Sequence, residues 1–431
     1  MDSTFIKPQN LPEKLIWYYL VGTYAAYYLG LQLLLTQLLG WFLAFYLIKK
    51  WWNQTDETPE SERIVISSSA WIWIIAMMII EVTIIISHIN FDLGFGQIIR
   101  TSIGWSRQWA LMALFPLAGH LNIRPQIIYR AVCILAAQSL VVVVIDNLAG
   151  LIHLPVLSFV SPLKFLGGGS ALWTAKFFSN SLTQREDFKL FAGWPTILGM
   201  TSVIYFYFAC LESDRKWRRI GIWTYIFLIL ASQTRTAIVA LLFNFIFLRL
   251  FKSWFRARVL FMAGFTTPML AIFLPKIIDI LQQIKDFFNK FRGKDSDESG
   301  KLRAYINRMT LARWQSESPV WGHGVIEEFG QGPRITYGVP LGTHSTWFAI
   351  LYLHGIVGFL ALAIACLWSF FNLLIKSQSS DLAEIGLRIL IVLIIFGFAE
   401  PLNIWPYVYW PALLVLGVAL KQSNLPFTVT N

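Results

Sequence analysis

Apolar runs close to the length of a bilayer crossing follow one another through most of this chain, with short polar stretches between them. A helix needs about 20 apolar residues to cross the hydrocarbon layer. No water is present there to satisfy backbone N–H and C=O groups, so a crossing segment is either a helix or a strand of a closed barrel. These runs are too long and too continuously apolar for barrel strands, which alternate over about 10 residues. Composition agrees: 56% of the 431 residues are hydrophobic and 14% are charged, against roughly 25% charged in a soluble domain. The expected fold is an all-α polytopic membrane protein.

About twelve transmembrane helices are expected, over residues 14–29, 31–47, 65–87, 103–121, 127–145, 194–211, 220–232, 235–250, 259–274, 343–375, 385–399 and 404–420. The first two come from one apolar stretch divided near Gly30. Residues 1–14 are polar and no small-residue cleavage site follows the first run, so no cleavable signal peptide is expected. The chain then reads as helices 1–9 over 1–274, a long loop over 275–342, and helices 10–12 with a short tail over 343–431. Cys133, Cys210 and Cys366 lie in or beside different runs and read as small core residues rather than a disulfide or metal framework.

Basic residues orient the chain, because positive loops stay cytoplasmic. With an inward N-terminus, the inward loops hold Lys49, Lys50, Arg63, Arg124, Arg215, Lys216, Arg218, Arg219, Arg249, Lys252, Arg256, Arg258, Lys376 and Lys421. The short outward connections hold little beyond Arg100, Arg107 and Arg235. Both termini are therefore expected in the cytoplasm. The net charge of +11, spread between spans, suits anionic lipid headgroups and not nucleic acid.

The outward side then receives Arg235, the stretch 146–193, the loop 275–342 and the start of the tenth span. Gly167-Gly168-Gly169 reads as a flexible connection, since no strand precedes it and no phosphate-loop lysine follows. In the loop, residues 276–292 carry apolar side chains at helical spacing with Lys285, Lys290 and Arg292 opposite, as in a helix lying on a membrane surface. Residues 294–300 read as a charged flexible break. Leu302, Tyr305, Ile306 and Met309 then mark a second amphipathic helix opening near Arg303.

Three outward residues are candidates for chemistry. Arg235, in Ser232-Gln233-Thr234-Arg235, separates two apolar runs, where a guanidinium is costly unless it meets an interface, a wet cavity or an anion. Arg303 reads by itself as a solvated loop charge, and His344 as an interfacial polar residue at the lip of the tenth span. Their spacing adds information. Arg303 precedes Pro319-Val320-Trp321-Gly322-His323-Gly324 by sixteen residues, and His344 precedes Gly355 by eleven and Gly358 by fourteen. The ordered set, from the seventh span to Gly358, resembles the bacterial O-antigen ligase and polymerase superfamily. Its members carry a Ser-x-Ser-Arg-like element, an Arg followed by Pro-x-x-Gly-x-Gly, and His-Asn followed by Gly-x-x-Gly. This chain departs in having Ser345 in place of the Asn and Gln233-Thr234 in place of a smaller pair.

The resemblance implies glycosyl transfer at the outer face of the bacterial inner membrane. The implied donor is a glycan on undecaprenyl pyrophosphate, and the acceptor is a hydroxyl on a glycan, a lipid-anchored core or a protein. No cofactor or metal is implied, and the chain has no conspicuous Asp-x-Asp or His cluster. Arg235 and Arg303 are then the expected diphosphate clamp, because guanidinium forks match phosphate oxygens. Fixed cations there stabilise charge growing on the leaving phosphate. His344 is the expected base for the acceptor hydroxyl, kept neutral by neighbouring arginines, and direct attack predicts inversion. Arg308 and Arg313 are secondary diphosphate candidates. His323 reads as a turn residue. Glu81 and Glu400 read as buried carboxylates in want of cations, while Arg185 and Asp187 border the same side without an assigned part.

Ligase and polymerase differ in acceptor, and both stay open at this point, as does action alone or beside a flippase and a chain-length regulator. The rival from another class is a secondary transporter of a small anion. It favours inverted repeats and charges near the midplane, whereas no repeat is evident here and the key residues gather at the outer interface. A structural subunit whose loop docks a partner is a third reading.

Overall fold

The computed structural model describes residues 6–59, 62–167, 170–178, 188–254, 295–326 and 341–421. The expected ninth span and the surface helix over 276–292 lie outside them, as do Gly168, Gly169, Arg185 and Asp187.

The first apolar stretch does divide at Gly30. Helices α1 (Leu11–Val21) and α2 (Thr23–Tyr28) run up to it and α3 (Gln32–Trp52) leaves it. Gly30 has φ +66°, which a side chain rarely tolerates. Asn10 caps α1 by accepting from the Glu13 amide, and Pro12 occupies the first turn, where its missing N–H costs nothing. The phenol of Tyr19 donates to the Gln32 carbonyl at 2.8 Å, tying the two limbs together.

Helix α4 (Ser68–Asn90) opens on a Ser67 cap. The fourth expected span, 103–121, is corrected. The chain there forms two helices, α5 (Phe95–Arg107) and the eight-residue α6 (Leu111–Ala118), parted at Gln108. Helix α5 has no buried residue and leaves Phe95, Ile99 and Ile103 exposed. Its polar residues alternate with apolar ones at helical period, so it suits an interface better than a crossing. Helix α6 crosses a later helix backbone to backbone: a Cβ on Gly119 would lie 2.5 Å from the Val418 amide nitrogen, and one on Gly417 would lie 2.1 Å from the Pro116 carbonyl oxygen. Small residues at such crossings let helices approach in lipid, where apolar burial alone gives little drive.

Helix α7 (Pro125–Leu151) carries the chain to a two-stranded antiparallel sheet, β1 (Leu157–Val160) with β2 (Thr174–Phe177), in the register Leu157 to Phe177. The hairpin replaces part of what reads from sequence as a plain connection. Helices α8 (Pro195–Cys210), α9 (Arg215–Ala231) and α10 (Arg235–Trp254) follow, then α11 (Asp295–Glu317), α12 (Thr346–Lys376), α13 (Asp381–Phe396) and α14 (Pro406–Lys421). The expected break over 294–300 is corrected: α11 is helical from Asp295 onward. Asp and Ser are residues of helix starts, and the cost of about 1 kcal/mol for Gly300 in mid-helix is small beside the packing of α11 on α12.

Among the described residues, α3, α4, α7 and α12 are long and apolar enough to cross a membrane by length and composition. Helices α8 and α14 are apolar but only 16 residues each. They form the middle of the bundle, where nearly every residue is buried, as expected of helices apolar on all sides. Cys133 and Cys366 are buried free thiols as expected, but Cys210 is exposed.

Candidate functional site

Arg235 opens α10 directly after a three-residue turn. Gln233 has φ +50°, so the chain reverses sharply between α9 and α10. Ser232 and Thr234 of the turn are buried against the start of α8. Thr234 Oγ1 reaches the Pro195 carbonyl at 3.4 Å, and Gly199 leaves room beneath the turn, where a Cβ would meet Ser232 Oγ at 2.9 Å. The Arg235 side chain is partly buried, and its Nη2 has no hydrogen-bond partner among the described residues. A buried guanidinium nitrogen without an acceptor costs more than an ordinary orphan and is a standing attraction for an anion.

Arg303 lies on α11. Leu302, Ile306 and Met309 face the bundle from that helix, with Ile306 packed in a small cluster with Leu341 and Tyr352. Tyr305, expected on the same face, is instead 37% exposed. Arg303 flanks the buried stripe, its side chain 46% exposed. One nitrogen donates to the Ala399 carbonyl at 3.4 Å and another stands 3.8 Å from Glu400 Oε1. Glu400 thus finds the cation that its burial demands. Its side chain is 7% exposed and also bonds the Thr196 hydroxyl in the first turn of α8. Burial pushes its pKa up to about 7, against the opposing pull of Arg303 and of the Thr196 bond.

His344 stands just before α12, half-buried, with Nδ1 3.3 Å from the Thr343 hydroxyl. Its pKa is lowered, first by burial and then by the charge of Arg303, so the neutral imidazole is favoured. The expected direction holds, although burial outweighs the arginine. Ser345, where the family pattern has Asn, donates to the Gly397 carbonyl at 2.9 Å. Thr346 donates its amide to the Gly397 carbonyl at 2.8 Å and its hydroxyl to the Glu400 carbonyl at 2.7 Å. The loop bearing His344 is therefore sewn to the end of α13 and to the segment that carries Glu400.

Arg303 and His344 thus share one place, with Glu400 between α8 and α11. The turn that precedes Arg235 packs on the same first turn of α8: Thr234 touches Pro195, and the next residue, Thr196, bonds Glu400. The secondary candidates differ. Arg313 makes a two-pronged pair with Glu317 at 2.8 and 3.0 Å, and Arg308 is exposed on α11. Glu81 bonds Ser102, while its Oε2 has no partner among the described residues.

The glycine-containing motifs account for how α11 and α12 are joined. Helix α12 is broken at Gly355, with φ +63° and ψ −167°. The break frees carbonyls on one side and amides on the other, and the Pro319–Gly324 segment satisfies them. His323 and Gly324 donate amides to the Tyr352 and Leu353 carbonyls at 2.8 and 2.9 Å. In return Pro319 and Val320 accept from the Ile356 and Val357 amides at 2.9 and 3.3 Å. The backbones meet so closely that a Cβ on Gly322 would lie 2.5 Å from the His354 and Gly355 amide nitrogens. His323 is the expected turn residue, lying between Gly322 and Gly324, both with positive φ. Its ring also stacks on Tyr352 and Phe91 and meets Glu317 at 2.8 Å.

Thr196 was not distinguishable from sequence. The only local signal is a hydroxyl placed directly after the proline that opens an apolar span. Glu400 stands out as a carboxylate beside apolar runs, but its partner lies 97 positions away in the chain, at Arg303.

No curated protein matches the chain. The family model described as O-antigen ligase matches residues 220–363. The match runs from within α9 to the middle of α12 and takes in Arg235, Arg303 and His344.

Proposed function

We propose that this chain is a membrane glycosyltransferase of the ligase or polymerase type. It moves a glycan from undecaprenyl pyrophosphate to a hydroxyl on a glycan or lipid-linked acceptor. The observation that carries the reading is the half-exposed Arg303 head beside a His344 held toward its neutral form. The family match supports a glycan transferase at that coarser level, and it favours this reading over anion transport.

In the proposed step the acceptor oxygen attacks the anomeric carbon. His344 takes the hydroxyl proton as the C–O bond forms. The anomeric bond to the diphosphate breaks, and its electron pair leaves on the phosphate oxygen. Arg303 and Arg235 stabilise that growing charge, each donor being worth roughly 3–4 kcal/mol by analogy with oxyanion holes. Two guanidinium groups supply the cationic charge, so the reaction is proposed to be metal-independent, and a single displacement inverts the anomeric centre. The basic residues between spans support an inner-membrane orientation with both termini cytoplasmic and this site on the periplasmic side.

The test is glycan transfer in proteoliposomes charged with an undecaprenyl-pyrophosphate oligosaccharide and an acceptor. Release of polyprenyl pyrophosphate together with an extended or newly attached glycan is expected from the wild type and lost in Arg235→Ala and His344→Ala. Equal release by folded variants would overturn the assignment. Product size separates polymerase from ligase.

A further inference from the structure

Glu400 is a buried carboxylate at the candidate site with no step assigned to it. One oxygen is taken by Thr196, while Oε1 has no hydrogen-bond partner among the described residues and stands 3.8 Å from Arg303. That separation is too long for a hydrogen bond and short enough for strong charge interaction. The guanidinium is therefore held loosely, by the Ala399 carbonyl at 3.4 Å and by the Glu400 charge, with nearly half its side chain open. We propose that Glu400 is the resident counter-ion of Arg303, which a diphosphate displaces on binding, so that Glu400 sets how tightly the donor's anionic end is held. The inference rests on the transferase reading above in that the displacing anion is the donor's diphosphate.

The exchange has a proton balance. With the site empty, the ionised carboxylate neutralises Arg303. When a diphosphate takes its place, the carboxylate is left buried beside another anion and without its cation, which favours the neutral acid. Binding therefore draws one proton from solvent onto Glu400. Among the described residues the charged neighbour facing this carboxyl is Arg303 of α11, and His344 beyond it feels the same guanidinium. Helices α8 and α12 contribute neutral hydroxyls, Thr196 to the carboxyl and Thr346 to the backbone carbonyl. His344 is held toward its neutral form and does not change charge above neutrality.

The sign follows. The competitor is absent when Glu400 is protonated and present when it is ionised. Anion affinity should therefore be greatest at low pH and fall as pH rises past about 7, by about tenfold per pH unit until the carboxyl's higher pKa in the complex is reached.

The experiment measures binding of a short-chain diester of pyrophosphate, whose own phosphates stay ionised throughout, to the detergent-solubilised full chain between pH 6 and 9. The wild type should bind progressively more weakly above pH 7. Glu400→Gln, which keeps the volume and the bond to Thr196, should bind about tenfold tighter than wild type at pH 8 and lose the pH dependence. A flat wild-type profile refutes the inference without reference to any variant. A folded Glu400→Gln protein with wild-type affinity and profile refutes it too, while loss of binding in Arg303→Ala would leave the transferase reading standing. If Arg303→Ala and Arg235→Ala both bind the diester as the wild type does, the transferase reading itself fails.

Discussion

Replacing Gly355 by alanine should undo the joint that holds the two halves of the site. Its φ of +63° with ψ of −167° lies in a region essentially reserved for glycine, where a side chain costs of order 1–3 kcal/mol. The added Cβ would stand 2.1 Å from the Val320 carbonyl oxygen and 2.6 Å from the Trp321 amide nitrogen, both backbone atoms that cannot rotate away. Two outcomes compete. The strain persists with the loop displaced, or the chain relaxes into an unbroken helix and the loop leaves altogether. In the second case the four bonds between 319–324 and 352–357 are lost, at about 1 kcal/mol net each, offset in part by restored helical bonds. The smaller cost sets the result, about 2–4 kcal/mol of local undocking. Hydrogen–deuterium exchange on the detergent-solubilised chain should show faster exchange at the His323 and Gly324 amides by a factor of about 30 to 1,000, at 1.4 kcal/mol per decade. Glycan transfer should fall with it, because α11 loses its fixed relation to α12. Unchanged protection of this segment with full activity would refute the account of the motif.

Other expectations concern the charged groups and the turn. His344→Ala should lower the transfer rate by about 10²–10⁴-fold. The wild-type rate should decline as pH falls through a value below 6.5, because the lowered folded pKa keeps the imidazole neutral down to that point; an acid limb that survives in His344→Ala would contradict this. Arg235→Lys keeps the charge but loses the planar fork, and should cost about 10²–10³-fold in turnover, checked by steady-state transfer at saturating donor. Gln233→Gly relieves a positive φ and should raise the thermal unfolding midpoint, with a gain of about 1 kcal/mol; a lower midpoint would mean that the Gln side chain is needed to hold the turn.

The helices were legible where one period dominates and one environment surrounds it. Val142 to Ile145 or Ile389 to Ile395 can only be buried in protein or lipid. The division at Gly30 was legible because a glycine interrupts an apolar stretch too long for one crossing. The region 103–121 misleads because averaging over its length merges the two-faced α5 with the fully buried α6. The difference lies in which side each residue faces, and that depends on α4 and α14, remote in sequence. The β-hairpin was illegible for a related reason: Leu157–Val160 is short, mostly apolar and exposed along its length, with too little alternation to betray a strand. Of the candidate residues, Arg235, Arg303 and His344 stood out through their order and spacing. The part played by Glu400 did not, since a carboxylate shows its burial in sequence but not its partner.

The junction at Gly355 also bears on how this chain can change length. Pro319 and Val320 are bonded to Ile356 and Val357, and His323 and Gly324 to Tyr352 and Leu353, with glycines where no side chain fits. One residue inserted within either segment would put one pair of these bonds out of step with the other and move a glycine from where only a hydrogen fits. A single added codon in either segment should therefore be rejected, which makes the junction a fixed gauge for the chain on both sides of it.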